Sequence, residues 1–579
     1  MADIHPVGKA TYDAVRHDVP VRPWTILAQD PLALGPSGRA LTTTVNVPAE
    51  RLERGPKGHR VHVVDYDSST DILYQPRRTE LTSDPYAKVT DLEELVRDPH
   101  FHQQNVYAIT MATLCTFENA LGRPVAWGFQ DPSHQLKVAP HAFAEANAYY
   151  SRQSESLNFG YFLDPRGKRI YTCLSHDIVV HEATHALLDG LRPMYIRPSS
   201  PDQGGFHEGF SDIVALLSVF RSKEVIERLV APLAGRRNAV ELKDLDFNDL
   251  AATGLFKLAE EMGRAADGMP AEALRHSVKI RPNVTHYGSA RFEEEHDCGE
   301  LLVAIVLRSF IHMWLSRLRT LRQAGMTTIS KPMLAYEGAR AAKHLLKILI
   351  RAIDYLPPVN LLYPDYLSAI LTADLQLYPD EDGLVYRDIL RKSFEAFGVT
   401  PASRDRYDGV WDPPKAAEFT LVGTHFERMQ RDPTEVFRFI WENKKALGIE
   451  PNAFTRVLSV RPVMRVSNDG AVLRETVVEY VQQLNVFGSE LKSLGIRCPS
   501  GVPSNRMISL FGGGTLIFNE YGLLKFHIGT GVTSEKQSDR LQSLSDRGFF
   551  AQNSVRRLGM AGLHLDRAIR PARQPAQEW

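Results

Sequence analysis

The chain has 579 residues, of which 43% are hydrophobic and 24% charged, so it can bury a sizeable core in roughly three to five domains. With 68 Lys and Arg against 69 Asp and Glu, the formal net charge is −1, which argues against nucleic acid as the main partner. The 4 cysteines are too few for a disulfide scaffold.

The sequence predicts neither a signal peptide nor a membrane span. Its N-terminal part has no apolar stretch of signal-peptide length. The most apolar run, from Leu301 to Leu307, is followed at once by Arg308 and falls short of the roughly 18 residues that a span needs. We therefore expect no membrane partner and a cytoplasmic location, unless another route exports the protein.

Four regions are predicted in chain order. Residues 1–95 alternate in the manner of β-strands and predict an N-terminal β-rich extension. Residues 96–215 predict a helix that ends at Gly122, a strand pair in HQLKVAPHAFAEANAYY and a helix in DIVVHEATHALLDGL, and residues 216–399 are rich in helical patterns. A polar boundary at 400–418 precedes a C-terminal α+β region, 419–579, with two hairpins, of which the first turns at Asp469 and Gly470.

An HExxH motif is formed by His181, Glu182 and His185. Residues four apart on a helix share one face, so both imidazoles can reach one metal ion. Glu182 projects beside them and can take a proton from a metal-bound water. An amphipathic helix with two incidental histidines is the alternative reading of this motif alone.

A second acidic motif follows in GGFHEGFSDIVAL, which carries Glu208 and Asp212 at four-residue spacing. Two histidines and one glutamate form a known catalytic zinc set that leaves a fourth position open for water. We therefore predict that His181, His185 and Glu208 bind one catalytic Zn²⁺. Asp212 can accept the free N–H of a ligating histidine and fix its tautomer.

Together the two motifs resemble those of the thermolysin-like metallopeptidases, a branch of the gluzincins. The likeness extends to NAYY, EALRHSV and THYGSARFEEEHDCGELL and covers roughly residues 100–399. It implies an α+β fold with a two-lobed catalytic unit: an α+β lobe with an edge strand, then a mainly helical lobe, with the HExxH helix between them. The N-terminal extension and the C-terminal α+β domain lie outside the resemblance.

The resemblance also implies roles for residues around the zinc site. Asn147 and Ala148 would hold an extended substrate, and Arg275 would bind a substrate carbonyl. His296 and Tyr195 would donate hydrogen bonds to the oxyanion. The pocket for the side chain after the scissile bond would be lined by the residues that match the family's pocket, Ile178 and Leu274.

Two departures from the family pattern stand out, and the catalytic histidine has a second candidate. His207 occupies the position before the ligand glutamate, where the family usually has Asn, and so changes the residues around the ligands. Asp177 matches a calcium ligand, but Val219 stands where a second calcium-binding carboxylate is needed, so we expect no paired calcium site. His286 competes with His296 for the catalytic role, and one of Glu293, Glu294 and Glu295 can orient His296.

The sequence therefore predicts a zinc metallopeptidase that cuts peptide or protein substrates on the N-terminal side of bulky apolar residues. Two alternatives remain at this point. One is a non-catalytic binding or assembly protein that keeps the gluzincin scaffold. The other is a zinc hydrolase that acts on a bond other than the peptide bond.

Overall fold

The computed structural model describes residues 20–28, 42–78, 83–89, 91–129, 134–164, 167–234, 238–243, 245–253, 277, 279–379, 385–403, 408–415, 419–466 and 472–550. Within these ranges the chain is a mixed α and β protein, as the sequence predicts. Helices α1 to α14 are Leu92–Arg97, Pro99–Leu121, His176–Leu191, Pro201–Phe220, Lys223–Leu229, Ala231–Ala234, Phe247–Ala252, Glu295–Gln323, Lys331–Ala352, Tyr363–Leu377, Tyr386–Glu395, Phe426–Met429, Pro433–Glu442 and Lys536–Asp546. Strands β1 to β15 are Val21–Leu27, Thr42–Pro48, Val61–Val63, Tyr66–Asp67, Ile72–Leu73, Leu136–Phe143, Ala148–Ser151, Ser156–Leu163, Arg169–Tyr171, Ala239–Glu241, Thr328–Ser330, Phe454–Val466, Val472–Phe487, Met507–Asn519 and Leu524–Thr530.

A five-stranded sheet carries the first half of the fold, in the order β3-β6-β8-β7, with β9 also paired to β8. The prediction that β6 and β7 pair with each other is wrong, because β8 lies between them, parallel to β6 and antiparallel to β7. Strand β7 turns back tightly into β8, and that turn lets β8 take the place beside β6. Strand β7 therefore stands at the end of this order, with one edge that no described strand covers.

Helices α2 and α3 pack together beside this sheet. Helix α2 begins after Asp98, whose side chain accepts a hydrogen bond from the His100 N–H, and ends at Gly122, as predicted. Gly122 has φ of 72°, a left-handed conformation that glycine adopts without strain. Helix α3 carries the HExxH motif, and His176–Leu191 is buried along almost its whole length.

Helices α4 and α8 run against each other at very short distance. A Cβ atom at Gly209 would lie 2.6 Å from the carbonyl oxygen of Gly299, closer than carbon and oxygen can approach without displacement. Glycine at both positions therefore allows direct backbone contact between the two helices. By length and composition α8 could cross a membrane, but 83% of its most apolar 18-residue window is buried inside the protein, as in a core helix.

The C-terminal region forms an antiparallel sheet in the order β12-β13-β14-β15. Both predicted hairpins are present as strand pairs, although the turn at Asp469 and Gly470 lies outside the described residues. One sheet face packs on helices α12 and α13, through a cluster that includes Val478 and Phe518. The opposite face contributes Val477 to the main core of the protein, so the sheet is joined to the rest of the fold by apolar packing.

Buried charges also join this sheet to the rest of the fold. Asp354, at the end of α9, accepts two hydrogen bonds of 2.6 Å from Arg123 and one of 2.7 Å from Arg465 on β12. Arg465 also pairs with Glu475 on β13 at 2.7 Å. Although burial opposes ionisation, the two guanidinium groups hold the pKa of Asp354 well below its usual range.

Candidate functional site

The two HExxH histidines and Glu208 meet at one point between α3 and α4. The Nε2 atoms of His181 and His185 are 2.9 Å apart. The Glu208 carboxylate approaches both rings, with Oε2 3.7 Å from His181 Nε2 and Oε1 3.7 Å from His185 Nε2. All three side chains are at most 1% exposed. The four-residue spacing of the histidines and the packing of α4 on α3 bring the predicted ligands together.

This trio fits a divalent metal ion in both distance and charge. Zinc binds imidazole nitrogen and carboxylate oxygen at about 2.0–2.2 Å, which places two tetrahedral ligand atoms about 3.3 Å apart. The observed separations of 2.9 and 3.7 Å lie on either side of that value. Three buried carboxylates, from Glu182, Glu208 and Asp212, face two imidazoles, and a bound cation would offset their mutual repulsion.

Each of the two HExxH imidazoles also has a partner at its Nδ1 atom. His181 Nδ1 lies 2.7 Å from Asp212 Oδ1, as the sequence predicts. His185 Nδ1 lies 2.8 Å from His207 Nδ1 and 3.2 Å from Ser211 Oγ. Burial and the nearby charge of His181 lower the pKa of His207 to about 3, so His207 is neutral and its Nδ1 can accept a hydrogen bond. His207 therefore occupies the position from which it can orient His185.

Glu182 is positioned as a base beside the trio. It is 0% exposed, and its Oε2 accepts a 2.7 Å hydrogen bond from the backbone N–H of Tyr150. Its Oε1 is buried without a hydrogen-bond partner among the described residues. Burial raises the pKa of Glu182 to about 7. The charge of His181 opposes this increase, and the charge of Glu208 adds to it. A carboxylate with a pKa near neutrality can both take up and release a proton at physiological pH.

Strand β7 is fixed to the HExxH helix at two points. Besides the contact with Glu182, the Tyr150 hydroxyl donates to Asp189 on α3 at 2.7 Å. Arg152, just beyond the strand, donates to the same carboxylate. Asn147 and Ala148 are buried at the start of the strand, where the Asn147 side chain accepts from the Ala148 N–H at 2.9 Å. The predicted substrate-binding edge thus lies directly beside the predicted catalytic glutamate.

His296 lies in the first turn of α8 and is 7% exposed. Its Nδ1 is 3.0 Å from Glu294 Oε1, so Glu294 is the neighbouring carboxylate that orients it. Although burial opposes it, this pairing lowers the pKa of Glu294 to about 2. One turn further along α8, a Cβ atom at Gly299 would lie 3.3 Å from Glu208 Cβ. The helix therefore begins close to the ligand trio.

Two other predicted or competing residues have partners elsewhere. The Tyr195 hydroxyl donates a 2.6 Å hydrogen bond to the carbonyl oxygen of Pro357, and the residue is 2% exposed. None of the described hydrogen bonds links this hydroxyl to the trio. His286 Nε2 lies 3.1 Å from the carbonyl oxygen of Arg281, and its ring packs on Phe292. Of the two candidate histidines, His296 is the one on a helix that contacts Glu208.

The remaining predicted residues divide into described and undescribed positions. Ile178 lies one helical turn before His181 and is 1% exposed within the main core. Asp177 is buried in the first turn of α3, and Val219 is buried near the end of α4. Leu274 and Arg275 lie outside the described residues.

The structure shows a second buried group that could hold a metal, made of His102, His141 and Cys173. His141 Nδ1 is 2.8 Å from Asp65, and its Nε2 is 2.7 Å from His102 Nδ1. His102 Nε2 is 3.0 Å from the carbonyl oxygen of Val96. These contacts give every ring nitrogen of His102 and His141 a partner within the protein. No sequence spacing links these residues, and sequence reasoning missed them.

A scan of the chain against protein-family models and a search of curated proteins both found no match. Function is therefore inferred from the residues of the site and their geometry.

Proposed function

We propose that this protein is a zinc-dependent metallopeptidase of the thermolysin-like, two-lobed type. The observation that carries the proposal is the position of Glu182. Its buried carboxylate has one oxygen without a hydrogen-bond partner among the described residues, and it lies between three side chains that could hold a metal ion and an open strand edge. A site that only bound zinc for structural purposes would not need this carboxylate.

The proposed chemistry divides among the residues of the chain. His181, His185 and Glu208 would hold a Zn²⁺ ion, which would supply Lewis acidity to the scissile carbonyl and to an attacking water molecule. Glu182 takes the proton from that water and delivers it to the leaving amine. His296, whose Nδ1 is paired with Glu294, would donate a hydrogen bond from its Nε2–H to the developing oxyanion.

The substrate would bind as an added strand on β7. Asn147 and Ala148 lie at the start of this strand, and backbone hydrogen bonds along an open edge favour an extended peptide. The resemblance implies that Ile178 and Leu274 line an apolar pocket and that Arg275 binds a substrate carbonyl, and the proposal keeps these roles. Leu274 and Arg275 lie outside the described residues. Cleavage is therefore proposed on the N-terminal side of bulky apolar residues.

The decisive experiment compares wild-type protein with Glu182→Gln and His185→Ala. Zinc content is measured by elemental analysis, and cleavage by mass spectrometry of a mixed peptide digest. Glu182→Gln should keep its zinc and lose at least about 100-fold in turnover, whereas His185→Ala should lose stoichiometric zinc. Glu94→Gln, on an exposed part of α1, is the matched control and should match wild type.

The result also separates the alternatives. Wild-type protein that holds zinc but cuts no peptide would reject the peptidase, in favour of a binding protein or a hydrolase of another bond. Unchanged peptidase activity in Glu182→Gln would reject the proposed base.

A further inference from the structure

A cavity of about 660 Å³ lies between strand β7 and the C-terminal sheet. Its walls come from the end of β7, from the loop 196–198, and from β14 and α14 of the C-terminal region. The resemblance does not extend to the C-terminal region, so nothing implied by the resemblance accounts for this cavity.

The charged residues that line the cavity are all of one sign. Arg152, Arg197, Arg506 and Arg540 line it, and no Asp or Glu does so among the described residues. Arg152 is neutralised by Asp189. No carboxylate pairs with the other three guanidinium groups in the part of the chain that the structure describes.

Of these cations, Arg540 is the one whose burial is energetically most unfavourable. It is 8% exposed, and its Nε is buried without a hydrogen-bond partner among the described residues. Burial, and then the charge of Arg547, lower its pKa to about 10. A buried guanidinium without a carboxylate is an unfavourable arrangement, and an anion bound from solution would relieve it.

The other walls of the cavity are apolar. Phe511 lies under two guanidinium groups, with Arg197 at 5.3 Å and Arg540 at 5.7 Å from its ring centroid. Leu541 and Phe549 add further apolar surface. The cavity therefore suits a carboxylate carried on an apolar stem, because guanidinium groups bind carboxylates with good geometry while the stem contacts the aromatic wall.

The cavity lies beside β7, the strand that contacts Glu182. Tyr150, whose N–H binds Glu182, also lines the cavity, together with Ser151. An extended chain advances about 3.3 Å per residue. A peptide laid along β7 with its scissile bond near Glu182 would thus place a residue about two to four positions away at the cavity mouth.

We propose that this cavity binds a carboxylate of the substrate, about two to four residues from the scissile bond. This proposal rests on the proposed peptidase function. It implies that the C-terminal region gives the protein a preference for acidic peptides. The carboxylate is that of an acidic side chain or of a chain terminus, since both present the same group.

The test uses pairs of synthetic peptides that differ only in Glu or Gln at one of the four positions on either side of a single cleavable bond. A second series places a free or an amidated C-terminus at each of the positions that follow the cleavable bond, so that the two sources of carboxylate are distinguished there. At one position the Glu peptide, or the peptide with a free terminus, should have a kcat/KM about 10-fold or more above that of its neutral partner. In Arg197→Gln/Arg506→Gln that advantage should fall below twofold, while cleavage of the neutral peptides stays unchanged. Arg431→Gln, an exposed residue away from the cavity, is the matched control.

A binding measurement separates failure of this inference from failure of the proposed function. The same peptides are titrated against full-length Glu182→Gln protein by calorimetry. If the wild-type protein cuts no peptide but the acidic peptide still binds at least about 10-fold more tightly than its neutral partner, the cavity assignment stands and the peptidase proposal falls. Equal cleavage and equal binding within every pair, or a preference that survives in the double variant, overturns the cavity assignment.

Discussion

Asp354 offers a direct test of how the C-terminal sheet is held to the rest of the protein. Replacing Asp354 with Ala removes the shared acceptor of Arg123 and Arg465, whose side chains are 4% and 2% exposed. Arg465 keeps Glu475, but Arg123 would lose the only carboxylate with which it pairs among the described residues. A buried cation would then remain without compensation.

The expected loss follows from the contacts. Hydrogen bonds between charged groups contribute about 1.5–3 kcal/mol each, so the three bonds to Asp354 set an upper limit of roughly 5–9 kcal/mol. Removal of one partner from a buried ion pair typically costs about 3–5 kcal/mol, because the structure relaxes and water enters. We expect Asp354→Ala to lower the free energy of unfolding by about 4 kcal/mol.

Urea denaturation followed by tryptophan fluorescence and circular dichroism measures this loss, and coincident transitions justify a single free energy. Asp388→Asn, which removes an exposed ion pair on α11, is the control and should cost no more than about 1 kcal/mol. Because the folded-state pKa of Asp354 lies well below its unfolded value, its contribution is present above about pH 4 and is lost as the pH falls further. A loss no larger than that of Asp388→Asn would refute the role assigned to Asp354.

Three further substitutions test other parts of the structure. Asp212→Ala should weaken zinc binding by about 10- to 100-fold because Asp212 holds His181; competition against a zinc chelator measures this, and an unchanged Kd would contradict the contact. Gly209→Ala should lower the free energy of unfolding by about 1–3 kcal/mol, because its methyl group would overlap Gly299. Urea denaturation measures this change, and an unchanged free energy of unfolding would show that the two helices can accommodate the methyl group. Burial raises the pKa of Asp202 from 3.8 to about 6, so its stabilising protonated form is lost as the pH rises through that range. Asp202→Asn should therefore gain stability relative to wild type, by up to about 3 kcal/mol between pH 4 and pH 7, and a difference that does not change with pH would contradict this.

The shared helix faces of His181 with His185 and of Glu208 with Asp212 could be predicted from the sequence because this geometry is local. His181 and His185 are one turn apart on a single helix, and Glu208 and Asp212 repeat that spacing on the next one. Spacing alone therefore indicates which side chains share a face. The end of α2 at Gly122 was predictable for the same reason, since helix termination depends on neighbouring residues.

Other features depend on contacts between distant parts of the chain. The sequence places His207 beside the predicted ligands, but only the packing of α4 on α3 shows that it contacts His185. Arg465 lies beside Asp354, 111 residues away in sequence, and no local sequence pattern indicates that contact. Strand pairing is also non-local, and for that reason the sequence did not predict that β8 separates β6 from β7.

The C-terminal sheet contacts both the end of the HExxH helix and the segment beyond α9. Arg461 on β12 donates to the carbonyl oxygens of Gly190 and Leu191 at the end of α3, and Thr515 on β14 donates to Leu356 beyond α9. The sheet therefore links these two segments and restrains the movement of one relative to the other. Under the proposed peptidase function, we therefore expect α3 and the segment beyond α9 to move little relative to each other, so that a substrate enters a preformed site. Such a site would accept flexible tails and short peptides, and it would exclude compact folded proteins because of their shape, whatever their side chains.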